Sequence, residues 1–308
     1  METQEVAQKT PVPIAKPAPV ANPNPNPNQL NIQAEMSKIR QMYADDATTD
    51  TFNALILGES GSGKSFLLRT CVGPVHIDSF DPGGSKGLRD EIKSGKIICD
   101  ARYEHEDPLK PTAFVLWEKE MDRRIKMGYF DQIGTYCLDS ATTWSAAIMN
   151  AILNKAGLAG TAPRFTKDYG PQKIIIQNWI KRILSLPCHV ILTGHLKQIV
   201  GEEGTKPTYR FMTTGQAAVS LPLLFDELYV MEPKESSSGV QYRILTQATG
   251  TFVARSRLAA NGKFAKYEEA DIKALLKKAG LSTDDKNQFE ETMPNTRRKS
   301  LDLARIKN

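Results

Sequence analysis

Cysteine is scarce in this 308-residue chain: Cys71, Cys99, Cys137 and Cys188 stand far apart, with no Cys-x-x-Cys among them. That spacing excludes a disulfide scaffold and the usual structural zinc pattern. With no charged-then-apolar leader at the N-terminus, it leads to the expectation of a reduced, intracellular protein. No run of about 18 apolar residues occurs, which excludes a helical membrane span. Charge of one sign is missing too. The net charge is +5, but Glu2, Glu5, Lys9 and Lys16 cancel, and Arg297, Arg298, Lys299, Arg305 and Lys307 against Asp302 give residues 297–308 a net +4. The body between is nearly neutral, and no stripe of interleaved basic and aromatic residues stands out. A globally basic nucleic-acid binder is therefore not indicated, although a local basic tail or groove remains open.

What is present suits one sizeable α/β domain with appendages, since 40% of the residues are apolar. Residues 1–28 hold seven of the 18 prolines and end in Asn22-Pro23-Asn24-Pro25-Asn26-Pro27-Asn28, so they are expected to form a disordered, polyproline-leaning arm. Leu30, Ile32, Met36, Ile39 and Met42 recur at helical spacing and predict a short amphipathic helix over 29–43, at the start of a domain spanning 29–281. From Phe52 onward short β-rich runs alternate with helical patterns, the rhythm of a parallel sheet wound with crossover helices. Strands are predicted at Ala54–Leu57, Val75–Asp78, Ile97–Cys99, Tyr136–Asp139 and Val190–Thr193. Helices are predicted at Lys64–Thr70, Ala113–Met127, Thr142–Lys155 and Lys173–Leu186. Beyond Leu221, Leu228–Met231, Tyr242–Thr246 and Phe252–Ala254 read as antiparallel edge strands. A last helix over Asp271–Ala279 is stopped by Gly280, and a polar basic tail, expected to be mobile, follows from 282 to 308.

The strongest chemical signal is Gly58-Glu59-Ser60-Gly61-Ser62-Gly63-Lys64-Ser65, a full G-x-x-x-x-G-K-[ST] directly after the apolar run Ala54-Leu55-Ile56-Leu57. Small residues let the backbone curl so that successive N–H groups face a phosphate, while the following helix offers its positive end to the same anion. Residues Gly58 through Phe66 are thus expected to bind ATP, with Lys64 on the β- and γ-phosphates and Ser65 on Mg²⁺. Tyr136-Cys137-Leu138-Asp139 is an apolar run ending in a carboxylate, the place for a second magnesium-holding residue. Asp139 could instead cap the helix that follows, with Ser140 as the competing cap. Ser140 stands where many motor ATPases carry a catalytic Glu, so any base must come from elsewhere.

Together, Gly58–Ser65, Asp139-Ser140-Ala141-Thr142-Thr143 and Val190-Ile191-Leu192-Thr193-Gly194-His195 resemble RecA-like ATPases. More narrowly they are similar to phage nucleotide-binding proteins related to single-strand annealing and recombination ATPases. The likeness covers about residues 50–260, and Asp168-Tyr169-Gly170, Phe225-Asp226-Glu227 and Arg255-Ser256-Arg257 add to it. It implies a RecA-like fold, a mainly parallel sheet flanked by helices with antiparallel edge strands. It also implies single-stranded DNA as partner, a homo-oligomeric ring or filament, and the cytoplasm of an infected bacterial host. His195 falls where that family has a polar γ-phosphate sensor, followed by a loop, Leu196–Gly215, with Lys197, Lys206 and Arg210 for DNA. The family's usual Glu beyond the second strand is replaced here by Phe80. Asp81, past the strand end, is the favoured base, with Asp78 and Glu59 as alternatives. Arg255 and Arg257, two apart, would share one face of a strand and reach a neighbour's γ-phosphate; Lys263 and Lys266 could serve instead. Trp117, Trp144 and Trp179 read as core anchors rather than base-stacking platforms.

These residues predict a Mg²⁺-dependent ATPase acting on single-stranded DNA in phage recombination or replication. A different class, a nucleotide-gated adaptor with little hydrolysis that binds protein partners, follows from the missing Glu and the long arm. A small-molecule kinase is a third reading, weakened by the lack of an arginine-rich lid.

Overall fold

A computed structural model describes residues 27–46, 49–200, 206–213, 217–237 and 239–286. Two compact units divide between Thr49 and Asp50. The described part of the first is helix α1 (Pro27–Ala44), whose Leu30, Ile32, Met36, Ile39 and Met42 are all exposed, and a short turn after it. Most of the expected Pro/Asn arm and residues 287–308 of the tail lie outside the described residues.

The second unit is built on one sheet. Its strands are β1 (Asn53–Gly58), β2 (Val75–Ser79), β3 (Ile97–Asp100), β4 (Thr135–Asp139), β5 (His189–Ile199), β6 (Thr208–Phe211), β7 (Glu227–Ser236), β8 (Gly239–Leu245), β9 (Arg255–Ser256) and β10 (Tyr267–Glu269). The order across the sheet is β10-β8-β7-β1-β5-β4-β2-β3, with β6 added to β5 and β9 to β7. The pairs β1–β5, β1–β7, β4–β5, β2–β4 and β2–β3 are parallel, and the remaining pairings are antiparallel. This is the fold class read from the sequence.

Burial on both faces explains why the central strands are continuous apolar runs. Leu55, Leu57, Tyr136, Leu138, Val190 and Leu192 point to one face, where α4 (Ala113–Lys126), α5 (Ala141–Lys155) and α6 (Tyr169–Leu184) cover them. Trp117 meets Trp144 and Trp179 edge-on at 5.3 and 4.8 Å between ring centres, so all three tryptophans are core anchors. Ala54, Ile56, Val75, Ile77, Cys137 and Ile191 alternate to the other face, against Leu67, Leu68 and α8 (Ile272–Ala279). Asp271 caps α8 through a bond from the Ala274 N–H at 2.8 Å, and Gly280, at φ +84°, ends it as the sequence predicts. Among the described residues no helix is long and apolar enough to cross a membrane.

The fold departs from expectation in four places. Helix α6 begins at Tyr169, four residues early, because buried Asp168 gathers the Arg164 main-chain N–H and guanidinium ahead of it. The expected mobile loop 196–215 is in large part a hairpin: β5 continues to Ile199 and β6 returns beside it, seated by buried Phe211 and by Tyr209, whose ring lies 5.0 Å from that of Phe252. Residues 201–205 and 214–216 of it lie outside the described residues. Phe252 makes a single bridge to Tyr209, so Phe252–Ala254 is not a strand; the short strand falls at Arg255–Ser256. The start of the tail is held to the body, since Asp285 accepts from the Gly73 N–H and Lys286 Nζ donates to the Asp131 and Pro187 carbonyls.

Candidate functional site

Four parallel strands, β1, β5, β4 and β2, end side by side, and the loops leaving their C-terminal ends make one cleft. The first is the Gly58–Ser65 loop, which passes directly into α2 (Lys64–Leu67) and a 3₁₀ turn over Leu68–Thr70. Two of its glycines are required by their surroundings. A Cβ on Gly58 would lie 2.3 Å from Ser62 Oγ, and Gly63, at φ +86°, has the Tyr242 ring 2.9 Å from where a Cβ would stand. Lys64 is buried and folds back on the loop, donating to the carbonyls of Gly58 at 3.0 Å and Glu59 at 2.8 Å. Burial pulls its pKa down, while the charges of Asp139, Asp81 and Glu59 push it back up.

Asp139 ends β4 facing this loop. Its Oδ2 accepts from Ser65 Oγ at 2.6 Å, and its Oδ1 from Thr193 of the neighbouring β5. Burial raises its pKa despite the Ser65 and Thr193 hydrogen bonds, and the nearby Asp81 charge adds to the rise. The cap of α5 is Ser140, whose Oγ accepts from the Thr143 N–H, so Asp139 is free of the alternative capping role.

Asp81 lies just past β2, where the main-chain N–H groups of Phe80 and Asp81 both bond the Asp139 carbonyl. Its Oδ1 accepts from Ser140 Oγ and Thr143 Oγ1, each at 2.6 Å, and its Oδ2 lies 3.0 Å from His195 Nε2. Burial alone would raise its pKa, but the bonds from His195, Ser140 and Thr143 outweigh it and hold the carboxyl below its usual range. The main-chain N–H of His195 donates to Thr142 Oγ1 at 3.0 Å. Lys64, Ser65, Asp81, Asp139 and His195, read separately from the sequence, thus form one connected set, and Thr193 joins it.

Other residues go elsewhere. Asp78 is fully buried, and its oxygens are taken by His76 at 3.0 Å, Arg124 at 2.9 Å, Trp117 at 2.9 Å and Tyr136 at 2.8 Å. That network leaves it no lone pair for a water, so it is a structural carboxylate and not an alternative base. The Phe80 ring is stacked on Tyr103 in the core at 5.0 Å. Phe66 is exposed at the outer side of α2 with the Arg69 guanidinium 3.7 Å from its ring centre. Glu59 is exposed.

Arg255 and Arg257 do not share a strand face, because β9 covers only Arg255 and Ser256. Arg255 is opposite Leu228, and Arg257 bonds Asp226 at 2.6 Å, both at the end of β7 that pairs with the start of β1, away from the loop at Gly58. The Arg255 guanidinium is committed to the Pro222 and Phe225 carbonyls at 2.9 and 2.7 Å. Neither arginine belongs to this chain's own cleft. Sequence reasoning missed Glu104, buried at 6% exposure and bonded to Ser79 Oγ at 2.7 Å. Its neighbours His105, Glu106 and Asp107 make the segment read as solvated, and no local pattern sets it apart.

The residues fit a nucleoside triphosphate and a hard divalent cation. Ser62 Oγ is buried inside the loop without a hydrogen-bond partner, and Lys64 rests on carbonyls of the same loop. Ser65 and Asp139 present hydroxyl and carboxylate oxygens, the donors magnesium prefers. A family model described as "AAA domain" matches residues 51–258. Among solved structures, the chain is similar to the flagellar accessory protein FlaH from Methanocaldococcus jannaschii, at 13% identity over 70% of this chain and 84% of that one, with a TM-score of 0.37. It is also similar to a KaiC-like protein from Pyrococcus horikoshii OT3, at 13% identity over 63% and 78%, with a TM-score of 0.36. No curated protein matches it.

Proposed function

We propose a function for a chain that belongs to the AAA domain family, and that membership is the premise. It carries an ATPase-type P-loop domain, and we read it as a Mg²⁺-dependent ATPase that acts on single-stranded DNA in phage recombination or replication. The observation that carries the ATPase reading is the meeting of Lys64, Ser65, Asp139, Asp81 and His195 at the ends of β1, β4, β2 and β5. Loop amides and Lys64 would bind the phosphates, while Ser65 and Asp139 would hold magnesium, which neutralises charge on the β- and γ-phosphates when bound. Asp81, kept ionised by its three donors, would orient a water and accept its proton. His195, bonded to Asp81, would tie that carboxylate to the hairpin that follows.

The DNA part is supported by that hairpin. Lys197 lies directly opposite Arg210 across β5 and β6, so the two positive charges repel each other mildly and an anion near both would relieve that repulsion. A nucleic-acid backbone would supply that anion. Assembly into a ring or filament belongs to the same reading, with the exposed Arg257 facing a neighbour's nucleotide; Arg255 could do so only by leaving the Pro222 and Phe225 carbonyls.

Phosphate release with and without single-stranded DNA is the test. Turnover stimulated by DNA, with fluorescent DNA polarisation rising at low salt in the presence of ATP, is the expected result; unchanged polarisation with and without ATP removes the DNA role. The adaptor reading is favoured by one observation, that both Asp81 oxygens already have partners, and it fits Phe80 standing where RecA-like ATPases usually have a Glu. Negligible turnover under every assembly condition would select it.

A further inference from the structure

We propose that Glu104 is a positioning residue: it pins the loop carrying Asp81 over the phosphate cleft and so sets the hydrolysis rate without touching nucleotide. The rate part of this inference rests on the ATPase reading above. Glu104 follows β3 at the far side of the sheet from β1 and is almost completely buried. Its Oε1 accepts from Ser79 Oγ at 2.7 Å and from the Ser85 N–H at 2.8 Å, and its Oε2 accepts from the Gly83 N–H at 3.1 Å. Ser79 ends β2, and Gly83 and Ser85 lie on the other side of Asp81 in sequence. One carboxylate therefore grips both ends of the segment that holds the favoured base.

Two further features make this more than a satisfied core contact. Among the described residues no lysine, arginine or histidine forms an ion pair with Glu104. Its negative charge is held instead by two backbone N–H groups and one hydroxyl, all from the segment 79–85. A buried carboxylate is costly to keep without a counter-charge, so its stabilisation depends on that segment keeping this shape, and the segment depends on it. The loop also has little slack against the site. A Cβ on Gly84 would stand 3.0 Å from Ser79 Oγ, 3.4 Å from Asp81 Cβ and 3.8 Å from Asp139 Oδ2. Phe80 and Asp81 are also tied to the Asp139 carbonyl, while beyond Asp81 the ties to Gly83 and Ser85 come from Glu104.

Glu104→Gln keeps the shape but puts an NH₂ donor where a carboxylate oxygen accepted. Four measurements on the full chain test the inference: affinity for a fluorescent ATP analogue, kcat for phosphate release, amide exchange at Gly83 and Ser85, and the double variant Glu104→Gln/Asp81→Asn. The expected result is affinity within about threefold of the parent, kcat lower by about tenfold or more, and faster exchange at both amides. The double variant should be no slower than Asp81→Asn alone, as two residues acting through one step require. Equal slowing by Glu104→Gln in both backgrounds, an unchanged kcat, or unchanged amide exchange would each overturn it. If the parent chain shows no turnover, the ATPase reading fails by itself, while exchange at Gly83 and Ser85 still decides whether Glu104 holds the loop. Should Glu104→Gln not fold, Ser79→Ala removes one of the three contacts and takes its place, with faster exchange expected and unchanged exchange counting against the clamp.

Discussion

His189 offers a stability test whose size follows from its surroundings. It opens β5, is half-buried, and its Nδ1 accepts a hydrogen bond from the Phe52 N–H at 3.0 Å, which requires that nitrogen to be unprotonated. Burial, and then the positive charge of Lys286, pull its pKa from 6.5 down to about 4. Lys286 is fixed nearby by the Asp131 and Pro187 carbonyls, each at 3.1 Å. Between these two pKa values the unfolded chain binds a proton that the folded chain refuses, so stability rises with pH there. The contribution is fully present above the unfolded value and is lost as pH falls toward the folded one. From about pH 7.5 to about pH 5, this one group removes about 2 kcal/mol, at about 1.36 kcal/mol per pKa unit. Urea unfolding of the parent and of His189→Gln at both pH values is the assay. Gln can still accept from Phe52 but does not titrate, so the parent should lose about 2 kcal/mol more than the variant on acidification. Parallel losses in the two proteins would refute the reasoning, because carboxylates common to both would then account for the whole pH dependence.

Lys64→Ala should abolish binding of a fluorescent ATP analogue while leaving the circular dichroism spectrum unchanged; retained affinity would reject the phosphate-loop assignment. Asp81→Asn should leave ATP affinity within a few-fold and lower kcat by roughly 10²- to 10⁴-fold, the usual range for a lost general base, as read by phosphate release. Gly63→Ala places a Cβ at φ +86° against the Tyr242 ring, so nucleotide titration should show a large loss of affinity. Asp78→Ala leaves the buried Trp117 and Tyr136 donors unpaired and Arg124 with Asp100 as its remaining carboxylate, and should cost about 3 kcal/mol in urea unfolding. A change under about 1 kcal/mol would mean that the Asp78 network contributes little.

The sequence made some parts of this site plain and hid others, for physical reasons. The phosphate loop was legible because its glycines, lysine and serine must lie in consecutive positions to curl one stretch of backbone, so the constraint is itself local. Asp139 and His195 were legible as polar residues closing apolar strands, since a buried parallel strand turns polar only where it leaves the sheet. Asp81 was favoured over Asp78 only by its place past the strand end, and what takes Asp78 away from the cleft was not visible in the chain. The answer lies with Arg124, Trp117 and Tyr136, which come from two other elements and claim Asp78 through contacts between 39 and 58 residues apart in sequence. Glu104 was hidden for the same reason, as its partners lie 19 to 25 residues upstream and its own neighbours are charged. The hairpin was missed because Leu196-Lys197-Gln198-Ile199 has no period of two and the alternation of Thr208-Tyr209-Arg210-Phe211 lasts only four residues, while much of their pairing is settled by Phe211 meeting the core.

The undivided length of β5 has a mechanical consequence. Its first half is clamped between β1 and β4, its middle carries Thr193 and His195, and, among the described residues, its last residues pair with β6 alone. Ile199 lies four residues past His195, a lever arm of about 13 Å at the rise of an extended strand. A tilt of about 10° at the imidazole would swing that end by about 2 Å, comparable with the margin between a hydrogen bond made and one broken. An occupant that turned the imidazole would thereby move a point well outside the cleft through a single rod of backbone.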